Sequence, residues 1–418
     1  MIDIFFETIK VGHVVVEGSQ PYFVYDGDWI RRRGAFPISL SMPLTSAPIG
    51  AEKIIPWLAN LLPESHLSEI GQQLGVSPQD IVGLLQHIGR DTAGALSIGQ
   101  PREGADQFRR LRSEADLERI INELPRKPFL VGDEGISMSL AGVQDKLPVG
   151  IVDGKIAIPL NGTPSTHILK PDASRLAGSV FNEAFCLTLA RAVGIDAARA
   201  TTGRAGKRTY LLVERYDRQE SSRAILRTHQ EDLCQLLGRF PSAKYEGRSP
   251  SAAGLTLSVL LAGVANNISP GARLALLDGV ILNILICNTD SHAKNYSILI
   301  GSSGSAKFAP LYDLLCAEVY SQVAKKLPQT INGKREANHL FGKDWQHFAR
   351  SVGLSPAQTL KRVAELAALV LDHVDTAKEL VRAMPAGDDP VLDKIAFQIR
   401  KRTRLMIKQL AQVDPTVA

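Results

Sequence analysis

Apolar and polar positions alternate at the start of the chain, and the period of two predicts strands at 2–6, 13–17, 22–25 and 38–42. Turn signals separate them at Gly18-Ser19-Gln20-Pro21 and Asp26-Gly27-Asp28, so this region reads as a small antiparallel sheet. A helical period continues over 54–74, interrupted near Pro63. A second helix opens at Ser77-Pro78-Gln79-Asp80, a capping serine with proline in the first turn, and stops near Gly89. The polar stretch GQPREGADQFRRLRSEAD reads as a surface connector, after which Ser113 and Asp116 cap a short helix to Leu124. Strand signals return at 136–140, 147–152, 155–158 around the Asp153-Gly154 turn, 166–170 and 208–214, with an amphipathic helix over 179–193. From Thr228 onward long apolar helices dominate, at 258–265, 271–286, 356–374 and 391–413. Sheet first and helices after predicts an α+β chain: a two-lobed unit behind a separate N-terminal domain.

Composition narrows the class without naming a function. At 418 residues, with 44% hydrophobic and 22% charged positions, the chain is long enough for two or three domains with stable cores. It contains no run of eighteen apolar residues, and MIDIFFETIKVGHV lacks the basic-then-apolar layout of a signal peptide, which predicts a cytoplasmic protein without a membrane segment. Cys186, Cys234, Cys287 and Cys316 form no C-x-x-C pair and read as reduced core residues. A net charge of +5 permits an anionic ligand but is no nucleic-acid signature.

The chemistry concentrates in ILNILICNTDSHAKNYSILI, where an apolar helix ends in a polar cluster and an apolar strand resumes at once. Asp290 and Asn295 stand in the spacing D-x-x-x-x-N of a kinase catalytic loop, in which the aspartate takes a hydroxyl proton and the asparagine holds a metal ion. His292 and Lys294 between them are placed to neutralise phosphate charge. Asp313, in FAPLYDLLC, supplies a carboxylate that would complete a magnesium site with Asn295 and phosphate oxygens. The same spacing also fits ordinary turn and cap chemistry, so it counts only in company.

That company comes from three upstream segments. Lys170 ends the strand THILK, as a lysine holding the α- and β-phosphates would, although a lysine at a strand end is normally just solvated; Glu183 in the next helix is a candidate partner. The strand of YLLVERYDR runs into Glu214, Arg215, Tyr216 and Asp217, an extended segment whose backbone can meet an adenine edge and whose Asp217 can reach a ribose; a strand ending in an exposed charged turn is the plain alternative. No G-x-G-x-x-G or G-x-x-x-x-G-K-[ST] occurs, and the phosphate loop is sought in SMSLAGVQDK, where Ser139, Ala141 and Gly142 let backbone amides approach an anion.

Taken in order, SMSLAGVQDK, THILKPD, VERYDR, HQEDLCQLLG, NTDSHAKNYS and FAPLYDLL resemble the HipA family, the kinase toxins of bacterial toxin-antitoxin pairs. WLANLLPE and HIGRDTAGAL are similar to the family's first domain, so the resemblance spans nearly the whole chain. It implies a two-lobed protein-kinase-like fold with a strand-rich N-terminal part and an all-helical C-terminal lobe. The segments expected are a HipA-type domain at 1–110, a connector at 111–129, a kinase N-lobe at 130–216 and a helical C-lobe at 217–418. It implies ATP and Mg2+ as cofactors, Asp290 as base, His292 and Lys294 beside it, Asn295 and Asp313 on the metal, and Lys170 on the α- and β-phosphates. The backbone of Glu214, Arg215 and Tyr216 would hold adenine, Asp217 the ribose, and Gln230, Ala141, Gly142 and Val143 would line the nucleotide site.

The resemblance further implies a serine/threonine kinase toxin whose targets are aminoacyl-tRNA synthetases, glutamyl-tRNA synthetase above all. Its action would halt translation and favour persistence. Ser139 would be autophosphorylated, inactivating the kinase. A HipB-like helix-turn-helix antitoxin would be the partner, with operator DNA reached only through that complex. Two alternatives stand beside it: a small-molecule or lipid kinase of the same fold, and a catalytically idle corepressor.

Overall fold

The computed structural model describes residues 1–16, 20–221, 224–247 and 254–412. The turn signal at Gly18-Ser19, the end of the strand expected to reach Glu17, and Val413 lie outside the described residues. Two compact units form, and neither is continuous in sequence. Unit 1 comprises Met1–Pro171, Arg204–Pro241 and Ser297–Lys307; unit 2 comprises Asp172–Gly203, Ser242–Tyr296 and Phe308–Ala418. Strand pairing causes the interleaving, because His229–Asp232 bonds to Ser297–Ile300 far along the chain.

Unit 1 begins with a four-stranded antiparallel sheet in the order Tyr22–Tyr25, Ile9–Val15, Ile2–Phe6 and Leu96–Ile98. Alternation puts Ile2 and Ile4 into the core, as the period predicts. Three helices come next: Ala51–Ala59, Leu67–Leu74, which ends at left-handed Gly75, and Ile81–Ile88, whose Asp80 side chain accepts from Gly83 N at 2.8 Å. Ser113 and Asp116 form the expected capping box on Glu114–Glu123. A six-stranded sheet runs in the order Gln107–Arg110, Lys155–Leu160, Leu147–Val152, His167–Pro171, Arg208–Glu214 and Ala200–Ala205. One apolar core, including Ile4, Trp29, Trp57, Leu85, Val149 and Leu169, unites both sheets and the helices.

Three local expectations change. Segment 38–42 is a turn rather than a strand, because the Tyr25 hydroxyl donates to Met42 O at 2.6 Å and accepts from Ile38 N at 2.9 Å, using the groups a ladder would need. Segment 136–140 keeps only a bridge between Asp91 and Met138. The supposed connector contains Gln107–Arg110, an edge strand whose charged residues suit its open side.

Unit 2 is built on helices Ser179–Ala192, Leu257–Asn267, Pro270–Leu285, Gly342–Ser351, Pro356–Arg382 and Val391–Ala411. Ser269 and Ser355 cap helices that begin with proline. The 27-residue helix Pro356–Arg382 buries Val363, Leu366, Ala367, Val370, Val374, Ala377 and Val381, a stripe of three- and four-residue steps. Arg362 clamps Asp278 with bonds of 2.7 and 2.8 Å. The chain after 217 is not purely helical, since short strands lie at Arg218–Glu220, Ile225–Arg227, His229–Asp232, Ser297–Ile300 and Ala306–Phe308. The class is α+β.

Candidate active site

In unit 2 the helix Pro270–Leu285 delivers the chain into Asn288–Asn295, and the entry is marked by Cys287 in the left-handed region at φ 64°. Asn288 organises the loop. Its Nδ2 donates to Asn283 Oδ1 at 2.8 Å and to Asp313 O at 3.3 Å, while its Oδ1 accepts from Asp290 N at 3.0 Å. Asn295 closes the loop, donating from Nδ2 to Asp290 O at 2.8 Å, and Tyr312 OH donates to Lys294 O at 2.6 Å. Asp313 itself has φ 53°, an uncommon conformation for a residue other than glycine, and such outliers cluster where surrounding structure over-determines them. Asp290, His292, Lys294, Asn295 and Asp313 are thus gathered on two backbone segments tied together through Asn288.

The electrostatics separate the two candidate cations. Burial, with the Lys244 and Lys294 ammonium groups beside it, drives His292 well below the ordinary histidine range, and Asp313 only partly opposes this. His292 is therefore a neutral imidazole near pH 7, and Lys294 and Lys244 are the cationic side chains beside it. The Nδ1 of His292 is buried with no hydrogen-bond partner among the described residues. Tyr245 places its hydroxyl on Asp290 Oδ1 and packs edge-on to His292, with ring centroids 4.9 Å apart. Nothing in the spacing of FPSAKYEG marked Lys244 or Tyr245, since they reach the loop from 45 residues away by tertiary contact alone. No group of three or more His, Cys, Asp or Glu side chains able to hold a metal exists among the described residues. An amide oxygen and a carboxylate are nonetheless the hard donors that magnesium takes together with phosphate oxygens, so the donor chemistry of Asn295 and Asp313 fits that ion.

Unit 1 holds the remaining candidates. Lys170 is only 5% exposed on a central strand, paired in register with Leu211, so it is not the solvated strand-end lysine of the plain alternative. Glu183, in unit 2, is also buried. The loop Ala141-Gly142-Val143 is held by its carbonyls: Lys146 Nζ donates to Ala141 O, Glu64 N to Gly142 O at 3.1 Å, and Ser65 Oγ to Val143 O at 2.9 Å. Gly142 sits at φ 106°, where a side chain would be strained. Among the described residues no backbone carbonyl accepts from the three N–H groups of this loop. Gln230 Oε1 is buried without a partner among the described residues. Ser139 is fully buried, its Oγ donating to Leu61 O at 2.8 Å.

The hinge candidates divide. Glu214 is exposed at the strand end, and Arg215 N donates to Thr166 O at 2.9 Å, so that N–H is not available to an adenine. Asp217, expected beside a ribose, is held in a buried ion network. Its Oδ1 accepts from Arg215 Nε at 3.0 Å, and its Oδ2 accepts from Arg215 Nη2, Arg218 Nη1 and Gly94 N, each at 2.8 Å. Both oxygens are consumed by a buried ion network. Spacing alone could not reveal this, because Gly94 lies 123 residues away.

Residues 2–99 match the HipA N-terminal domain and residues 138–374 the HipA-like C-terminal domain. The chain belongs to the HipA family. The Y4mE protein of Sinorhizobium fredii is 36% identical over 384 residues, covering 89% of this HipA-family chain and 88% of that protein. The serine/threonine-protein kinase toxin HipA of Shewanella oneidensis is 28% identical over 417 residues, covering 96% of this chain and 93% of that one. The solved structure of the S. oneidensis HipA, HipB and operator DNA complex matches with a TM-score of 0.84 at 25% identity, over 98% of both chains. HipA-family membership carries the α+β, kinase-like fold with it. No helix among the described residues is long and apolar enough to cross a membrane.

Proposed function

We propose that this HipA-family chain is a serine/threonine protein kinase toxin that transfers the γ-phosphoryl group of ATP to a protein hydroxyl. The observation that carries the proposal is the loop Asn288–Asn295, in which Asn288 and Asn295 lock the backbone around Asp290 and tie it to Asp313. Phosphoryl transfer asks for positioning and charge stabilisation more than covalent chemistry, and a rigid loop of this kind supplies the first. Asp290 accepts the substrate hydroxyl proton. Lys294 and Lys244 offset developing negative charge, and the neutral His292 offers a hydrogen bond rather than a charge. Asn295 and Asp313 would hold magnesium, whose contribution when bound is to neutralise the phosphate oxygens. Within unit 1 the candidates are the amides of Ala141, Gly142 and Val143 for phosphate, Lys170 for the α- and β-phosphates, Gln230 as a lining residue, and the backbone at Glu214 and Tyr216 for adenine.

The substrate class is an aminoacyl-tRNA synthetase, glutamyl-tRNA synthetase first among them, so the cellular effect is arrested translation and persistence in the cytoplasm. A HipB-like antitoxin restrains the kinase and links it to operator DNA. Ser139 is the autophosphorylation site. Its full burial means that the loop must leave its seat before the hydroxyl meets any active site. A phosphate of nearly two negative charges could not then return to the place now occupied beside Leu61 O. Incubation of the purified chain with Mg-ATP, with phosphopeptide mapping afterwards, is expected to find phosphate on Ser139 and none in Asp290→Asn. Calorimetry showing no nucleotide binding would overturn the kinase reading. A phosphoproteome in which no synthetase gains phosphate over the Asp290 variant would overturn the target.

A further inference from the structure

Unit 1 contains a buried quartet of charges, Asp91, Arg215, Asp217 and Arg218, with side chains only 1–3% exposed. Two anions meet two cations, so the cluster is neutral as a whole. Asp91 Oδ1 accepts from Arg218 Nη2 at 2.9 Å; its Oδ2 accepts from Ser165 N at 3.1 Å and lies 3.5 Å from Arg215 Nη1. Arg215 also donates to Ser165 Oγ at 2.9 Å and Thr92 O at 2.8 Å, and Arg218 donates to Gly94 O at 2.8 Å. Burial alone would raise the Asp91 carboxyl, yet Arg215 and Arg218 hold it below the usual range, so it is ionised throughout the working pH range.

Asp91 makes a second set of bonds through its backbone. Its N–H donates to Ser137 O at 3.1 Å, and its carbonyl accepts from Ser139 N at 3.0 Å, a parallel bridge centred on Met138. One residue therefore grips the Ser139 segment with its main chain and the Arg215–Arg218 segment with its side chain. The first leads directly into the amides of Ala141–Val143, and the second continues from the candidate hinge at Glu214–Tyr216. Packed charged networks have discrete arrangements and do not deform smoothly, so displacement on one side is felt on the other.

We infer that Asp91 is a positioning residue for nucleotide binding, coupling the seating of the Ser139 loop to the placement of the hinge backbone. This rests on the kinase reading above and adds a regulatory link to it. Release of the Ser139 loop removes two of the bonds that hold Asp91. The hinge side of the quartet then loses its fixed anion, and nucleotide affinity falls beyond what loss of the loop's own amides would cause. By reciprocity, bound nucleotide favours the seated loop.

The test titrates the full chain with Mg2+ and a non-hydrolysable ATP analogue. Asp91→Asn, which keeps the backbone bonds and removes the charge, is expected to raise Kd at least fivefold and KM for ATP in parallel, with kcat at saturating ATP within twofold. Hydrogen exchange at Ser139 should slow on analogue binding in the wild type and fail to slow in Asp91→Asn. Should Asp91→Asn not fold, Ser165→Ala removes an acceptor of Arg215 without unpairing a charge, and a two- to fivefold rise in Kd is expected. A folded variant with a lowered Tm but wild-type Kd and wild-type exchange response makes Asp91 structural only and overturns the inference. A wild-type chain that binds no analogue instead overturns the kinase reading itself.

Discussion

Glu231 lies fully buried in unit 1 with its Oε1 accepting from Leu40 N at 2.9 Å. Burial pushes its carboxyl up to about 8 from the ordinary 4.5, against the hydrogen bonds of Ser39 and Leu40 that favour the charged form. Two residues away, burial drives His229 down from 6.5 to about 4, its Nε2 sharing a 2.9 Å bond with Ile38 O. The signs oppose each other. The raised carboxyl gives a contribution that is complete below pH 4.5 and is lost as pH climbs to about 8; the depressed imidazole gives one that is complete above 6.5 and is lost as pH falls towards 4. Between 4.5 and 6.5 the two slopes cancel, and above 6.5 only Glu231 acts. At about 1.4 kcal/mol per pH unit, its contribution falls by roughly 2 kcal/mol between pH 6.5 and 8. Glu231→Gln keeps an acceptor for Leu40 N and cannot ionise. The stability of Glu231→Gln relative to wild type should therefore grow with pH, by about 4 kcal/mol between pH 5 and 8. Urea melts of both proteins at pH 5, 6, 7 and 8, monitored through the buried tryptophans, measure this as a widening gap in midpoint. A gap that stays constant with pH would refute the assignment of a protonated Glu231.

Asp290→Asn and Asp313→Asn should each lower kcat at least a thousandfold, with Tm within a few degrees of wild type, as read by a phosphotransfer assay beside calorimetric melting. Tyr245→Phe removes the hydroxyl that bonds Asp290, worth about 1.5–3 kcal/mol for a charged acceptor. It should cut kcat roughly tenfold or more and leave the Kd of an ATP analogue unchanged; a shifted Kd with intact kcat would contradict that role. Gly94→Ala places a methyl 2.8 Å from Gln230 N at φ 83°, where neither backbone nor the fixed His229 can yield, and should destabilise the chain by about 2 kcal/mol or more in denaturant titration. Gly154, also at positive φ but with open space around it, should lose only about 1 kcal/mol on the same change.

Local signals were legible in the sequence because they are local physics. The period of two at Ile2–Phe6, the Ser113–Asp116 capping box, and the polar cluster ending an apolar helix at Asn288–Asn295 all act within a few residues, so the chain by itself determined the α+β class and marked the loop where its candidate residues gather. Even the turn at 38–42 failed as a strand for a non-local reason, the hydroxyl of Tyr25. Tertiary structure alone decided which charges are spent. Asp217 reads as a ribose ligand in VERYDR, yet Gly94 and two arginines bond it; His292 reads as a phosphate-neutralising group until burial, with Lys244 beside it, discharges it. The plain alternative for Lys170, a solvated strand-end lysine, falls away once its strand is placed in the middle of a sheet. The charge state and availability of a polar side chain depend on burial and on partners brought from a hundred residues away, and no window along the sequence contains them.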